Sequence, residues 1–239
     1  MKNMNEQISE QLNSERDSLK EFLLNTSLTE EFLEEYNDLV SGRGFKENDN
    51  DPELLSLKKC AEDNKLNEKF QLIVNGISSL SEELIINEFK KSFMSVFGLM
   101  KSNSFQNSSQ ALFVEYDYYG HKNAWVGVFG KWNWELMINS AYLKGNWYDE
   151  KVFELGNAVT FNNAWPEFVE MEFEEIDNEF GLEFSNRLIS LYKLNSRILL
   201  HQSLKEIDEV GGLDFLSIRP FHFYINEHDC EISSLYIKE

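Results

Sequence analysis

The sequence is poor in basic residues, cysteine, proline and glycine. It has 22 Lys and Arg residues against 42 Asp and Glu residues, so the formal net charge of the 239-residue chain is −20. This charge repels the nucleic-acid backbone and anionic membranes, and we expect neither as a partner. It favours a basic protein partner, although the same charge also serves solubility alone. Only 3 prolines and 12 glycines occur, which argues against long flexible linkers.

The sequence motifs of common enzyme and metal sites are missing. There is no G-x-x-x-x-G-K-[ST] loop, no G-x-G-x-x-G fingerprint, no G-x-S-x-G elbow and no H-E-x-x-H helix. The spacing of the histidines fits no common zinc pattern: they are His121, His201, His222 and His228. We therefore predict no catalytic residue, no metal and no cofactor.

The chain has only two cysteines, Cys60 and Cys230, and no Cys-x-x-Cys pair. No secretory signal follows Met1, and no apolar run approaches the roughly 18 residues of a transmembrane helix. We therefore predict a cytoplasmic protein with both thiols reduced. Labelling the denatured, unreduced protein should find two thiols, and a count of zero would contradict this assignment.

Hydrophobic periodicity predicts an α+β fold, in which N-terminal helices pack on a mainly antiparallel sheet and a long helix precedes a C-terminal hairpin. We expect a helical region over residues 1–105 and a mixed α/β region with antiparallel hairpins over 106–239, as two domains or as one. A helix should begin at Ser81 and end near Gly98. Strands are predicted over 111–119, 124–130 and 132–142, a helix over 184–209, and a hairpin over 221–237. Residues 166–180 fit both a strand and a helix, and we favour a helix.

The chain is rich in aromatic residues after position 110. All five tryptophans lie between Trp125 and Trp165. Aromatic side chains are favoured in sheet cores, and Trp and Tyr also dominate binding hot spots. If this cluster is an interface, Trp132 and Trp134 are the candidate anchors of a partner.

The segment after Lys151 has acidic residues but no basic ones. Between Lys151 and Arg187 there is no Lys or Arg, and nine acidic residues occur. This pattern is typical of a solvated face, and it also suits the docking of a basic partner. For the second interpretation the candidate binding residues are Glu170, Glu172, Glu174 and Glu175.

One enzymatic alternative remains open. Magnesium-dependent nucleases use an acid on one strand and an acid-x-Lys triplet on the next, where the acids hold the metal. Asp117 and the later Asp149-Glu150-Lys151 repeat these letters. The alternative is a metal-dependent hydrolase or nuclease that uses Asp117 and Asp149, but the acidic surface is unfavourable for binding nucleic acid.

Three segments together resemble the immunity proteins of bacterial polymorphic-toxin systems. They are the aromatic hairpin ALFVEYDYYGHKNAWVGVFG, the end of the long helix KEIDEVGGLDFL and the closing strand pair FHFYINEHDCEISSLYI, and they span residues 111–239. The resemblance implies a protein without catalytic activity that binds one cognate toxin and blocks its active site or another essential surface. It also implies affinity from buried aromatic residues and fast association from complementary charge.

Overall fold

The computed structural model describes residues 3–42, 52–63, 65–77, 80–116, 122–164, 182–227 and 231–239. Over these residues the fold is α+β, as predicted. The helices are α1 (Met4–Asn25), α2 (Leu28–Gly42), α3 (Pro52–Glu62), α4 (Leu66–Ile77), α5 (Glu82–Ser102) and α6 (Leu182–Glu209). The strands are β1 (Ala111–Tyr116), β2 (Asn123–Phe129), β3 (Lys151–Thr160), β4 (Phe221–Glu227) and β5 (Ile232–Lys238). Within these ranges, no helix combines the length and the apolar character that crossing a bilayer requires.

The five strands form one sheet in the order β3-β2-β1-β4-β5. The pairs β1–β2, β2–β3 and β4–β5 are antiparallel, and β1 and β4 are parallel neighbours. The two predicted strand pairs, β1–β2 and β4–β5, are therefore confirmed. Their alternating apolar residues place one set of side chains on each face of the sheet.

Two predicted elements are wrong. Residues 132–142 are irregular apart from an isolated bridge between Ala141 and Ile232. The third strand next to β1 and β2 is β3. The aromatic side chains of this segment cover one face of the sheet, so the segment lies on the sheet and does not extend it. Helix α5 runs past Gly98 to Ser102, because a glycine inside a helix weakens it without ending it.

The chain divides into two compact units that interleave along the sequence. Unit 1 comprises Met1–Arg16, Ser81–Glu170 and Tyr192–Glu239, and unit 2 comprises Asp17–Leu80 and Met171–Leu191. Unit 1 thus takes residues from both sides of the predicted boundary at residue 105.

In unit 1, α5 and the second part of α6 cover one face of the sheet. Phe89, Phe93 and Phe97 of α5 recur at intervals of four residues and are fully buried. The Phe97 ring lies 6.1 Å from that of Phe223 on β4. Lys90 of α5 forms an ion pair of 3.0 Å with Glu206 of α6, so the two helices are also joined at their polar margin.

In unit 2, polar side chains fix the ends of neighbouring helices. Asn67 of α4 accepts the backbone N–H of Leu28 at 2.7 Å, and Gln71 donates to the carbonyl of Leu24 at 2.8 Å. The N–H at the start of α2 and the carbonyl at the end of α1 have no partner within their own helices, and the two α4 side chains supply one. The Phe70 and Phe184 rings meet edge to face at 6.1 Å in the core of this unit.

Candidate functional site

The second face of the sheet, opposite α5, carries an aromatic cluster. Phe113 and Phe129, on β1 and β2, meet at 4.7 Å, and the Trp147 ring stacks on Phe113 at 4.8 Å with 6° between the planes. The segment between β2 and β3 brings in the tryptophans from outside the strands. We use the name aromatic cluster for the rings of Phe113, Phe129, Trp134, Trp147 and Tyr224.

The two predicted anchors occupy different positions at this cluster. Trp134 is 8 % exposed and its Nε1 donates to the carbonyl of Gly130 at 2.9 Å, so it is part of the core. Trp132 is half-buried at the margin of the cluster. Its ring lies 3.2 Å from the position that a Cβ at Gly145 would take, and Gly145 has a φ of +87°. Position 145 therefore requires glycine, because other residues rarely adopt this positive φ and a side chain would press on the Trp132 ring.

At the margin of the cluster, the same sheet face carries two half-buried and two exposed side chains that we call the Trp125 platform: Trp125 and Lys151, and Tyr148 and Glu154. Trp125 Nε1 donates to Glu154 Oε1 at 2.7 Å, and Lys151 Nζ lies 3.1 Å from Glu154 Oε2. The same Nζ donates to the Tyr148 hydroxyl at 3.0 Å and lies 4.6 Å from the centre of that ring. Each polar group of the platform therefore holds another in place.

Gly127 explains the orientation of Trp125. It is two residues after Trp125 on β2, so both residues face the same side of the sheet. A Cβ at Gly127 would lie 2.2 Å from the Trp125 ring. The indole therefore lies across the glycine, where it is half-buried.

The charges of the platform stabilise each other. Hydrogen bonds from Trp125 and then Lys151 lower the pKa of Glu154, and hydrogen bonds to Tyr148 and Glu154 raise the pKa of Lys151. Both groups are consequently ionised at neutral pH. The platform offers aromatic side chains, which are enriched in protein interfaces, beside one fixed cation and one fixed anion.

Strand β3 forms one edge of the sheet in the described chain, and its burial is low. Phe153, which is 40 % exposed, stacks on Phe105 at 4.5 Å. The opposite edge is covered, because Met137 and Ala141 bond the backbone of β5, and Asn5 bonds Ile237 at 2.7 and 2.8 Å. Among the described residues, the more accessible edge of the sheet is therefore β3, on the side of the Trp125 platform.

The acidic candidates Glu170, Glu172, Glu174 and Glu175 lie outside the described residues, as do residues 166–180 as a whole and Cys230. Of the enzymatic alternative, Asp117 also lies outside them. Asp149 is exposed in a 3-10 turn over Trp147–Glu150, and the Lys151 amine is bonded to Tyr148 and Glu154. Among the residues that the structure describes, no three His, Cys, Asp or Glu side chains are grouped to hold a metal ion.

None of the four residues of the Trp125 platform was among the predicted partner-binding residues, and Lys151 was considered only in the acid-x-Lys triplet of the enzymatic alternative. The signal was available in the sequence Trp125-Val126-Gly127, since a glycine two residues from an aromatic residue on a strand makes room for the ring on that face. Comparison with known proteins adds no candidate: no family model, no curated protein and no solved structure matches this chain significantly.

Proposed function

We propose that this chain is a cytoplasmic binding protein for a basic protein partner, and that it acts as an immunity protein that neutralises a cognate bacterial toxin by occluding it. The observation that supports this proposal is the Trp125 platform at the accessible edge of the sheet. A few residues provide most of the binding energy in protein interfaces, and Trp and Tyr are enriched among them where a partner excludes water. Tyr148, at 53 % exposure, and Phe153, at 40 %, have area available for such a contact.

Charge supports the same proposal. The net charge of −20 accelerates the approach of a basic partner and slows that of an acidic one. In this proposal the acidic stretch after β3 steers the partner, and the aromatic side chains beside β3 retain it. Steering acts on the association rate and anchoring on the dissociation rate, so the two contributions are measured separately.

The anchoring role is tested with the product of the neighbouring gene by surface plasmon resonance. Tyr148→Ala and Phe153→Ala should each accelerate dissociation by roughly 10- to 30-fold, which corresponds to about 1.4–2 kcal/mol, with little change in association. Leu72→Ala, at a site that is 73 % exposed in unit 2, is the control for loss of exposed apolar area. Unchanged dissociation in Tyr148→Ala would exclude the Trp125 platform as the binding surface, and unchanged dissociation in Phe153→Ala would exclude the other face of strand β3. Co-expression with the toxin would show whether binding protects the cell.

The steering role is tested by reversing Glu170, Glu172, Glu174 and Glu175 to Lys. Association at low salt should slow by about tenfold, and the difference should shrink as salt screens the charges. Four exposed acids of α2 provide a control with the same change in net charge: Glu31, Glu34, Glu35 and Asp38. Equal slowing by both sets would mean that only net charge acts, and an association rate insensitive to salt and to both sets would refute steering.

A further inference from the structure

The Trp125 platform holds a cation that belongs to the chain itself. Lys151 Nζ lies 4.6 Å from the centre of the Tyr148 ring and 5.9 Å from that of the Trp125 ring. The same Nζ donates to the Tyr148 hydroxyl at 3.0 Å and pairs with Glu154 Oε2 at 3.1 Å. The faces of aromatic rings attract cations at such distances, and a carboxylate strengthens the contact. Two rings and one carboxylate therefore form a site for an ammonium group, which Lys151 fills.

We use the name ammonium site for the side chains of Trp125, Tyr148 and Glu154. The carboxylate is fixed by the indole, since Trp125 Nε1 donates to Glu154 Oε1 at 2.7 Å and leaves Oε2 for the ammonium. The indole in turn lies across Gly127. Neither contact involves Lys151, so we expect the ammonium site to keep its arrangement when the Lys151 side chain leaves it.

Lys151 can leave the ammonium site at a small cost. The Lys151 side chain is 27 % exposed and the Glu154 side chain is 52 % exposed. Ion pairs in contact with water contribute little to stability, because water competes for both charges. Tyr148 is 53 % exposed, so a group that arrives from solvent can reach the ring on which Lys151 lies.

The charge around the ammonium site favours a second cation over an anion. Asp149 and Glu150 directly precede Lys151, and the next basic residue after Lys151 is Arg187. A basic partner that is attracted by the net charge of −20 brings lysine side chains toward this surface. An incoming ammonium group that displaces Lys151 meets the same two rings and the same carboxylate.

We propose that the ammonium site binds a lysine side chain of the basic partner, and that Lys151 occupies the site only in the free protein. One cation stays beside Glu154 throughout the exchange, so the carboxylate is never left without a counter-charge. The identity of the ligand as a partner side chain rests on the proposed function, whereas the site itself is testable with a small amine. Because Lys151 competes for the site, it lowers the apparent affinity of the wild-type protein for any other ammonium group.

The first test is a titration with n-butylammonium, followed by the NMR signal of the Trp125 indole N–H, with n-butanol as the neutral ligand. Lys151→Ala should bind the amine with a dissociation constant on the order of millimolar and should show a shift of this signal. The wild-type protein should bind it at least about tenfold more weakly. Lys58→Ala, which removes an exposed lysine of α3, should behave like the wild-type protein. Equal binding of the amine by all three proteins, or binding of n-butanol as tight as that of the amine, would overturn the proposal.

The double variant Lys151→Ala/Glu154→Gln separates the ammonium site from the general negative charge. Glutamine keeps an oxygen that accepts from Trp125 and removes the carboxylate, so binding of n-butylammonium should weaken by about three- to tenfold relative to Lys151→Ala. Lys151→Ala/Glu34→Gln makes the same charge change at an exposed residue of α2 and should bind the amine like Lys151→Ala. Equal weakening in both double variants would mean that the amine responds to net charge alone, and would overturn the proposal.

The product of the neighbouring gene tests the source of the ammonium group. Without the competing lysine, Lys151→Ala should bind this protein with a dissociation constant about three- to tenfold lower than that of Lys58→Ala. Weaker binding by Lys151→Ala would mean that Lys151 itself contacts the partner, and equal binding would mean that no partner lysine enters the site; either result overturns the proposal. If neither variant binds the partner, the proposed function is wrong, and the amine titration still decides whether the ammonium site exists.

Discussion

Trp134→Ala is expected to lower the free energy of unfolding by about 3–5 kcal/mol, the range for removing a large aromatic residue from a core. The Trp134 ring lies 5.6 Å from Phe113 and 5.8 Å from Tyr224, and the indole N–H is satisfied by Gly130. Truncation leaves a cavity in the aromatic cluster and an unpaired carbonyl at Gly130. Urea unfolding followed by circular dichroism measures the loss.

Trp132→Ala is the matched control, because Trp132 is two residues away and only half-buried. We expect a loss of about 1–2 kcal/mol there, since less area leaves water and no comparable cavity forms. If Trp134→Ala keeps wild-type stability but releases a bound partner faster, Trp134 is the anchor that the sequence suggested, and its placement in the core is wrong.

A loss of stability of up to about 3 kcal/mol between pH 6.5 and pH 4 is expected from His222 alone. His222 is 4 % exposed, and burial lowers its pKa to about 4, against 6.5 for an exposed histidine. Below pH 6.5 the unfolded chain binds a proton that the folded chain does not bind until about pH 4. The free energy of unfolding therefore falls as the pH falls through this window, and above it His222 contributes no pH dependence.

The hydrogen bonds of His222 agree with a neutral ring. The Tyr224 hydroxyl donates its hydrogen to the carbonyl of Glu135 at 2.6 Å. Nδ1 of His222 lies 3.3 Å from the Tyr224 hydroxyl oxygen and is therefore the donor to that oxygen. His222→Gln keeps a donor and removes the titration. The urea midpoint should fall less steeply from pH 7 to pH 4 in this variant than in the wild-type protein. The contributions of the carboxylates and of His201 are the same in both proteins and cancel in the difference. Parallel curves for the two proteins would contradict the low pKa of His222.

The elements that the sequence predicted well are those whose signal is local. Residues 111–116 and 123–129 are short, nearly continuous apolar runs on either side of a predicted turn, and the apolar face of α6 repeats over 28 residues, so the local sequence identifies them. Strand β3 was missed because its pairing with β2 contains three register shifts and Gly156 has a φ of +67°. Such irregularities break the period of two on which strand prediction depends.

The candidate site was predictable only in part. Sequence reasoning located the aromatic region, but it had no means to tell Trp134 from Trp125, because burial is decided by which segments lie over the sheet. The parallel pairing of β1 with β4 joins residues more than 100 positions apart, and no short-range pattern encodes it. The contact of Trp125 with Glu154 likewise depends on the β2–β3 register, in which Glu154 lies opposite Gly127 and the irregularities hide the pairing.

The Asn5–Ile237 contact affects how the protein can fold during synthesis. Asn5 is made 232 residues before Ile237, whose backbone in β5 it bonds. Strand β2, one neighbour of β1, is made directly after β1. Its other neighbour, the parallel strand β4, is made only after α6. Until β4 has been made, part of the apolar surface of Phe113 and its neighbours is uncovered. This surface can bind chaperones or lead to aggregation. Slowing synthesis between β2 and β4 would extend this exposed period, whereas slowing it inside β1–β2 would not.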